Sequence, residues 1–182
     1  GFEPVPNFYD IVKEKFSNNM LVEVSNVACS DKLGSVEFYQ IIAPDNQDAE
    51  GLSSLNFRDI YNNFNHKKIN IECITLDNFI KDNKISNVEF VKIDTEGHEL
   101  SVLTGAKEAL NDGIFDFIQI EYGDCIRENG KDLIDILVLI ENTEYEIYDL
   151  VDGKFIKITK DNWFEYKNIP WDNYLISKYK LI

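Results

Sequence analysis

The sequence predicts an α/β fold, and three observations carry the prediction. Between residues 88 and 141, apolar runs with strand spacing alternate with segments of helical spacing, the pattern of parallel strands joined by right-handed crossovers. Farther on, strands follow one another with no helix between them, which predicts an antiparallel C-terminal edge. The third observation is the stretch VEFVKIDTEGHELSVLTGAKEAL (88–110). Val88, Phe90, Val91 and Ile93 form a nearly continuous apolar run, residues 94–99 are a charged turn, and Leu100, Leu103, Ala106 and Leu110 return at helical spacing. That change of period puts Asp94, Glu96 and His98 at the C-terminal lip of a strand, where open α/β sheets bind their ligands.

From the N-terminus, Gly1-Phe2-Glu3 reads as the end of a strand whose beginning is absent, followed by a turn over 4–7. Phe8, Ile11, Val12 and Phe16 fall at helical spacing, with Asn7 as N-cap and residues 17–19 as the stop. Residues 21–28 are rich in β formers and, with the alternating residues 36–39, predict a hairpin through 32–34. Residues 42–68 show little periodicity and read as a long loop with one helical turn near 57–64; such loops are lids, binding loops or disordered segments. Ile69, Ile71 and Cys73 alternate with polar residues as a half-buried strand, and residues 76–80 form a short helix. Beyond the central helix, stopped by Asp112-Gly113, residues 115–121 repeat the pattern of an apolar strand ending in an acid, Glu121. Leu133, Ile136, Leu137 and Ile140 mark another helix. Residues 145–150 and 154–158 are two strands joined at Val151-Asp152-Gly153, and 174–177 is a last strand. With no internal repeat and no linker, residues 1–182 read as a single domain.

Charge and cysteine usage exclude several functions. Lys and Arg number 18 against 33 Asp and Glu, a formal net charge of -15, so a nucleic-acid backbone or an anionic membrane is repelled. Cys29, Cys73 and Cys125 lie too far apart for a metal-ligand motif and leave one thiol unpaired under any disulfide scheme, which points to buried thiols in a reducing, cytoplasmic compartment. No apolar stretch reaches the roughly 20 residues of a membrane span, and the N-terminus has no signal-peptide pattern. Asp94, Glu96, Glu121 and Asp124 are hard oxygen donors, yet acids coincide by chance in a chain this acidic, so no metal is expected.

The segments FEPVPNFYDIV (2–12), NVACSD (26–31), ITLDNFI (74–80) with FVKIDTEGHELSVLTGA (90–106), and FIQIEYG (117–123) together resemble the FkbM family of S-adenosylmethionine-dependent methyltransferases. The likeness runs over essentially the whole chain and closes at NYLI (173–176); KID-x-EG-x-E followed by L-x-G-A is its specific core. It implies a three-layer class I methyltransferase sheet, Rossmann-like, of strand order 3-2-1-4-5-7-6, with S-adenosylmethionine over the strand ends. On the matched positions it implies that Glu3 holds both ribose hydroxyls, with Pro4 against the adenine. Ala28, Ser30 and Asp31 would flank the base, and Asp94 would line the methionine end and the methyl group. A carboxylate suits the ribose, because its two oxygens match a vicinal diol.

Asp94, Glu96, His98 and Glu121 are the candidate catalytic residues. An imidazole titrates near neutrality, and acids at the ends of adjacent strands converge on one cleft. The implied reaction is O-methylation of a small-molecule or glycan hydroxyl. The sequence departs from the family at its N-terminus, where the first strand and the glycine-rich turn D-V-G-A-N-x-G should precede FEP and neither is present, so the sheet is expected to be N-terminally incomplete. Such a sheet exposes edges, for which self-association is one outcome. The alternative to an enzyme is a non-catalytic fragment or remnant of the fold, acting as a binding or structural module.

Overall fold

The computed structural model describes residues 1–43, 52–56 and 62–182. Helix α1 (Pro6–Lys15) opens the chain. Its cap is Val5 rather than Asn7, because Pro6 occupies the first turn, where its missing N–H costs nothing and its fixed φ already suits a helix. The predicted apolar stripe lies shallow: Ile11 and Phe16 are exposed, and no residue of α1 is buried.

The hairpin expected over residues 21–39 does not form. In that stretch only Ser25, bridged to Phe2, and strand β1 (Ala28–Cys29) precede strand β2 (Gly34–Ile41) as paired backbone. Both β1 and β2 pair instead with β3 (His66–Ile74), β1 in parallel and β2 antiparallel. The register sets Gly34 opposite Cys73 and Phe38 opposite Ile69, so that Val36, Phe38, Ile69, Ile71 and Cys73 share the face that packs against Val5 and Ala28. Burial of that face outweighs the local turn signal at residues 32–34. Of the helical turn expected near 57–64, residues 57–61 lie outside the described residues.

Helix α2 (Leu76–Asp82) is capped by Thr75, whose Oγ1 accepts from Asn78 N at 3.1 Å. Strand β4 (Val88–Ile93) then leads through the acidic turn to α3 (Glu99–Thr104) and α4 (Lys107–Asn111). The sequence predicts one helix here; the structure divides it at Gly105 and Ala106. A Cβ on Gly105 would stand 1.9 Å from Ser30 O, and Gly105 O accepts from Asp77 N, while the Asp77 carboxylate accepts from Glu108 N and Ala109 N. Helical hydrogen bonds are exchanged for tertiary ones at this point.

Strand β5 (Phe115–Gly123) lies parallel to β4 and is followed by α5 (Asp124–Arg127) and α6 (Leu133–Leu139), the latter opened by an Asp132–Asp135 capping box. Strands β6 (Glu146–Val151) and β7 (Lys154–Ile158) form the predicted hairpin, with positive φ at Asp152 and Gly153. Strand β8 (Trp171–Ser177) inserts antiparallel between β5 and β6, giving the order β4-β5-β8-β6-β7. The antiparallel C-terminal edge is therefore present.

Side chains alternate about these strands. On one face Ile93, Ile118, Ile120, Tyr174 and Ile176 are buried together with Leu103, Leu110 and Ile136 from the helices. The opposite face carries Phe90, Lys92, Phe117, Gln119 and Glu121, which stay partly or fully exposed, Phe90 at 54%. Among the described residues this sheet thus has a helical layer on one side, and the sheet expected to lack its first strand is present as separate sheets of three and five strands.

The strands on either side of that division have not closed on each other, since Phe2 bridges Ser25 and β4 pairs with β5. Val88 N donates to Ile114 O, so Val88, Phe90 and Lys92 turn their amides toward β5. Glu89, Val91 and Ile93 therefore turn theirs outward, where the described residues offer no partner. In NMR-detected hydrogen exchange the Val91 amide is expected to exchange on the order of 100-fold faster than that of Phe90. Equal protection of the two would show that the outer edge is covered.

Candidate functional site

Between the N-terminal segment and β4 lies a cleft of about 530 Å³. Phe2, Glu3, Pro4, Ala28 and Cys29 form much of one wall, and residues 90–96 with His98 form the other. Of the residues singled out in the sequence, Glu121 adjoins the lining through Asp94 and Glu96 without being part of it, and Glu3, Pro4, Ala28, Asp94, Glu96 and His98 line the cleft. Ser30 and Asp31 do not: Ser30 is 1% exposed, and Asp31 opens onto a separate polar recess of about 230 Å³ beside Asp77, Lys81 and Gly105. The cause is the β1–β3 ladder. Ser30 N extends it by donating to Ile74 O, and the close approach of Gly105 to Ser30 O holds the chain away from the cleft after Cys29. Cys29 and Lys92 on the walls were not among the residues picked from sequence; a strand-end carboxylate draws attention that a thiol or an exposed lysine does not.

The N-terminal wall is held firmly. Asn26 Nδ2 donates to Glu3 O and Pro4 O at 2.8 and 3.2 Å, and the Phe2 ring meets Phe79 edge-on at 4.9 Å. Glu3 Oε1 accepts from Val5 N at 2.8 Å, while Oε2 has no hydrogen bond among the described residues. Partial burial raises the proton affinity of this carboxylate, and the Val5 amide counters that.

The opposite wall is the acidic turn. Glu96 and Gly97 both have positive φ, 55° and 96°, and only glycine fits the second position, because a Cβ there would lie 2.3 Å from Cys125 O. The parallel register that pairs Ile93 with Ile120 sets Asp94 beside Glu121. Carboxylate oxygens of Asp94, Glu96 and Glu121 all lie within 4.8 Å of one another, and Lys92 Nζ donates to Asp94 Oδ2 at 2.5 Å. Burial, followed by the like charges of Asp94, Glu96 and Glu99, pushes Glu121 up to about 7. A carboxyl group that still holds its proton near neutrality, beside a second carboxylate, can exchange a proton with a substrate hydroxyl. The trio is oxygen-only, and the Lys92 ammonium beside it supplies a positive charge to these acids.

His98 does not fit the general-base role expected of it. It is half-buried, and that loss of solvent pulls its pKa down to about 4. Nδ1 lies 3.3 Å from Asn56 Oδ1, and Nε2 lies 2.8 Å from Ser30 Oγ, which also bonds Asp31 Oδ1 at 2.9 Å. Because Asn56 Oδ1 only accepts, the ring proton belongs on Nδ1, and the one proton of the Ser30 hydroxyl goes either to Nε2 or to Asp31 Oδ1. Asn56 Nδ2 in turn donates to Gly97 O at 2.8 Å, and Ser54 Oγ donates to Thr95 O at 3.1 Å. His98 is a neutral connector that ties residues 54–56 and the end of β1 to the acidic turn.

A group with a vicinal diol and a planar base fits the cleft, since Glu3 keeps an oxygen outside any intramolecular bond and Pro4 and Ala28 supply apolar surface. No helix among the described residues is long and apolar enough to cross a membrane.

The family model for the methyltransferase FkbM domain matches residues 1–147. No curated protein matches the chain. Among solved structures, methyltransferase FkbM from Methylobacillus flagellatus KT is similar in fold, with a TM-score of 0.52 at 17% identity over 97% of this chain. The chain spans 35% of the length of that protein. Because the family match takes in most of the sequence, the chain belongs to the FkbM methyltransferase domain family.

Proposed function

We propose that the chain forms the cofactor cleft and the proton-accepting group of an S-adenosylmethionine-dependent methyltransferase acting on a hydroxyl of a small-molecule or glycan acceptor. The observation that carries this reading is the cleft, in which a carboxylate with an uncommitted oxygen stands on one wall and a proton-sharing acidic turn on the other. In this reading the two sheets are parts of one three-layer class I sheet that meet at the cleft. Three free thiols, Cys29, Cys73 and Cys125, suit a cytoplasmic setting.

Glu3 would take ribose hydroxyls through Oε2, Pro4 and Ala28 would contact the base, and Asp94 would border the methionine end. The bound sulfonium would supply a methyl group that is already activated. Left to the chain are alignment and the acceptor's proton. Burial and its neighbours raise the proton affinity of Glu121, which suits it to take the acceptor's proton, and Asp94 offers a second carboxylate oxygen beside it. Lys92, bonded to Asp94, places a positive charge beside the acid group.

Isothermal titration of the 182-residue chain with S-adenosylmethionine tests the reading; saturable binding with Kd below about 100 μM is expected. Glu3→Ala removes a charge-assisted hydrogen bond worth roughly 1.5–3 kcal/mol and should weaken binding about tenfold or more, alongside a modest loss of stability because Val5 N loses its acceptor. Millimolar or absent binding by the parent chain would leave the non-catalytic module as the better account.

A further inference from the structure

We propose that Glu99 is the positioning residue of this site, the buried carboxylate that holds the turn presenting Asp94 and Glu96 to Glu121. It was not among the candidates drawn from the sequence, and it touches neither the cleft nor the acid trio directly. The inference rests on reading that trio as the proton-handling group.

The geometry is specific. Glu99 begins α3, yet its side chain is 0% exposed, folded back beneath the turn that precedes it. One oxygen, Oε1, accepts from Thr95 N at 2.7 Å, from Thr95 Oγ1 at 3.1 Å and from Gly97 N at 3.3 Å. Those donors bracket Glu96, the residue held at a φ of 55°, a conformation that a non-glycine residue keeps only when its surroundings impose it. The Gly97 side is pinned independently, by close approach to Cys125 O and by Asn56 Nδ2 on its carbonyl. Remove the Glu99 oxygen and two turn amides lose their acceptor, the restraint on Glu96 disappears, and Asp94 and Glu96 are free to swing away from Glu121. Among the described residues the second oxygen, Oε2, has no hydrogen-bond partner. A buried carboxylate left half unpaired is costly to keep for the sake of one turn, unless the position of that turn matters.

The test follows the side-chain carboxyl carbon of Glu121 by NMR in a 13C-labelled chain, with no cofactor added. The parent is expected to titrate at about 7. In Glu99→Ala the midpoint should fall toward 4.5, the ordinary value for glutamate, because the neighbouring acids no longer crowd it. Glu99→Gln keeps an acceptor oxygen for the two amides while losing the charge, so it should fall less than the alanine variant. If Glu99→Ala titrates like the parent, Glu99 positions nothing that Glu121 feels. If Gln and Ala fall equally, Glu99 acts through charge alone. Both results overturn the proposal. Should Glu99→Ala fail to fold, Thr95→Val carries the test, since it deletes one of the three donors and preserves every charge. A downward shift supports the positioning role, and an unchanged midpoint overturns it. Because the titration needs no cofactor, a chain that binds no S-adenosylmethionine yet shows this order of midpoints keeps the positioning role and loses the methyl-transfer reading.

Discussion

Gly105→Ala is expected to lower the free energy of unfolding by about 2–3 kcal/mol, which for a chain of this size lowers the melting temperature by roughly 5–10 °C. The added methyl would sit 1.9 Å from Ser30 O and 2.9 Å from Ser30 C, and both are backbone atoms held in the β1–β3 ladder. Neither side can yield cheaply. Relief requires that the junction of α3 and α4 shift, which strains the Asp77 bonds to Glu108 N and Ala109 N, or that the end of β1 move, which strains the Ser30–His98 contact. The damage should therefore reach the acidic turn, and cofactor binding should weaken together with stability. Urea unfolding of the variant against the parent measures the first effect; a difference under about 0.5 kcal/mol would show that the contact is softer than its geometry implies.

Glu121→Gln should be more stable than the parent at neutral pH and above, and nearly inactive. In the folded chain Glu121 keeps its proton up to about 7, whereas an ordinary glutamate, as in the unfolded chain, releases it near 4.5. Below 4.5 both states are protonated and the site costs nothing. As pH rises from 4.5 to 7 the unfolded state is favoured by its easier ionisation, and above 7 that cost is complete. Glutamine carries no such cost. The variant should therefore match the parent at pH 4 and exceed it at pH 8, by about 1 kcal/mol, since the half-exposed carboxyl is screened by water. Loss of the proton acceptor should lower methyl transfer by roughly 10²–10⁴-fold, followed as label passing from S-adenosylmethionine to a panel of hydroxylated acceptors. A stability gain that persists at pH 4, or none at pH 8, would separate Glu121 from the proton.

The parts of this molecule that a sequence reveals are those decided locally. Strand β4, the acidic turn and the helical start behind it follow from a change of apolar period, and the β6–β7 hairpin follows from Asp152-Gly153. Asp94 and Glu121 were legible as a pair because both stand at the ends of apolar runs, and parallel pairing then brings them together. What long-range contact decides was not legible. Nothing near residues 21–28 announces that β1 will pair with residues 73 and 74, nor does the continuous apolar spacing of residues 100–110 announce that Ser30 will press against Gly105. Ser30 and Asp31 were misplaced for the same reason. Glu99 escaped notice because an acid at a helix start has an ordinary explanation in the helix dipole, and only its full burial distinguishes it.

Strand β8 also sets a timetable. Strands β5 and β6 make no ladder with each other; each is bonded to β8, and Ile176 alone faces both Ile118 and Ile147. In a nascent chain that has emerged through β7, the strands of this sheet amount to one parallel pair with its helices and one separate hairpin. At 5–20 residues per second, the ribosome keeps it in that state for on the order of seconds before residues 171–177 arrive. During that interval one side of each unfinished ladder is open, together with the isoleucines that the last strand will cover. The vulnerable species during synthesis of this sheet is thus the one that has β7 but not yet β8, and the residues that end its exposure lie more than twenty positions beyond those matched by the family model.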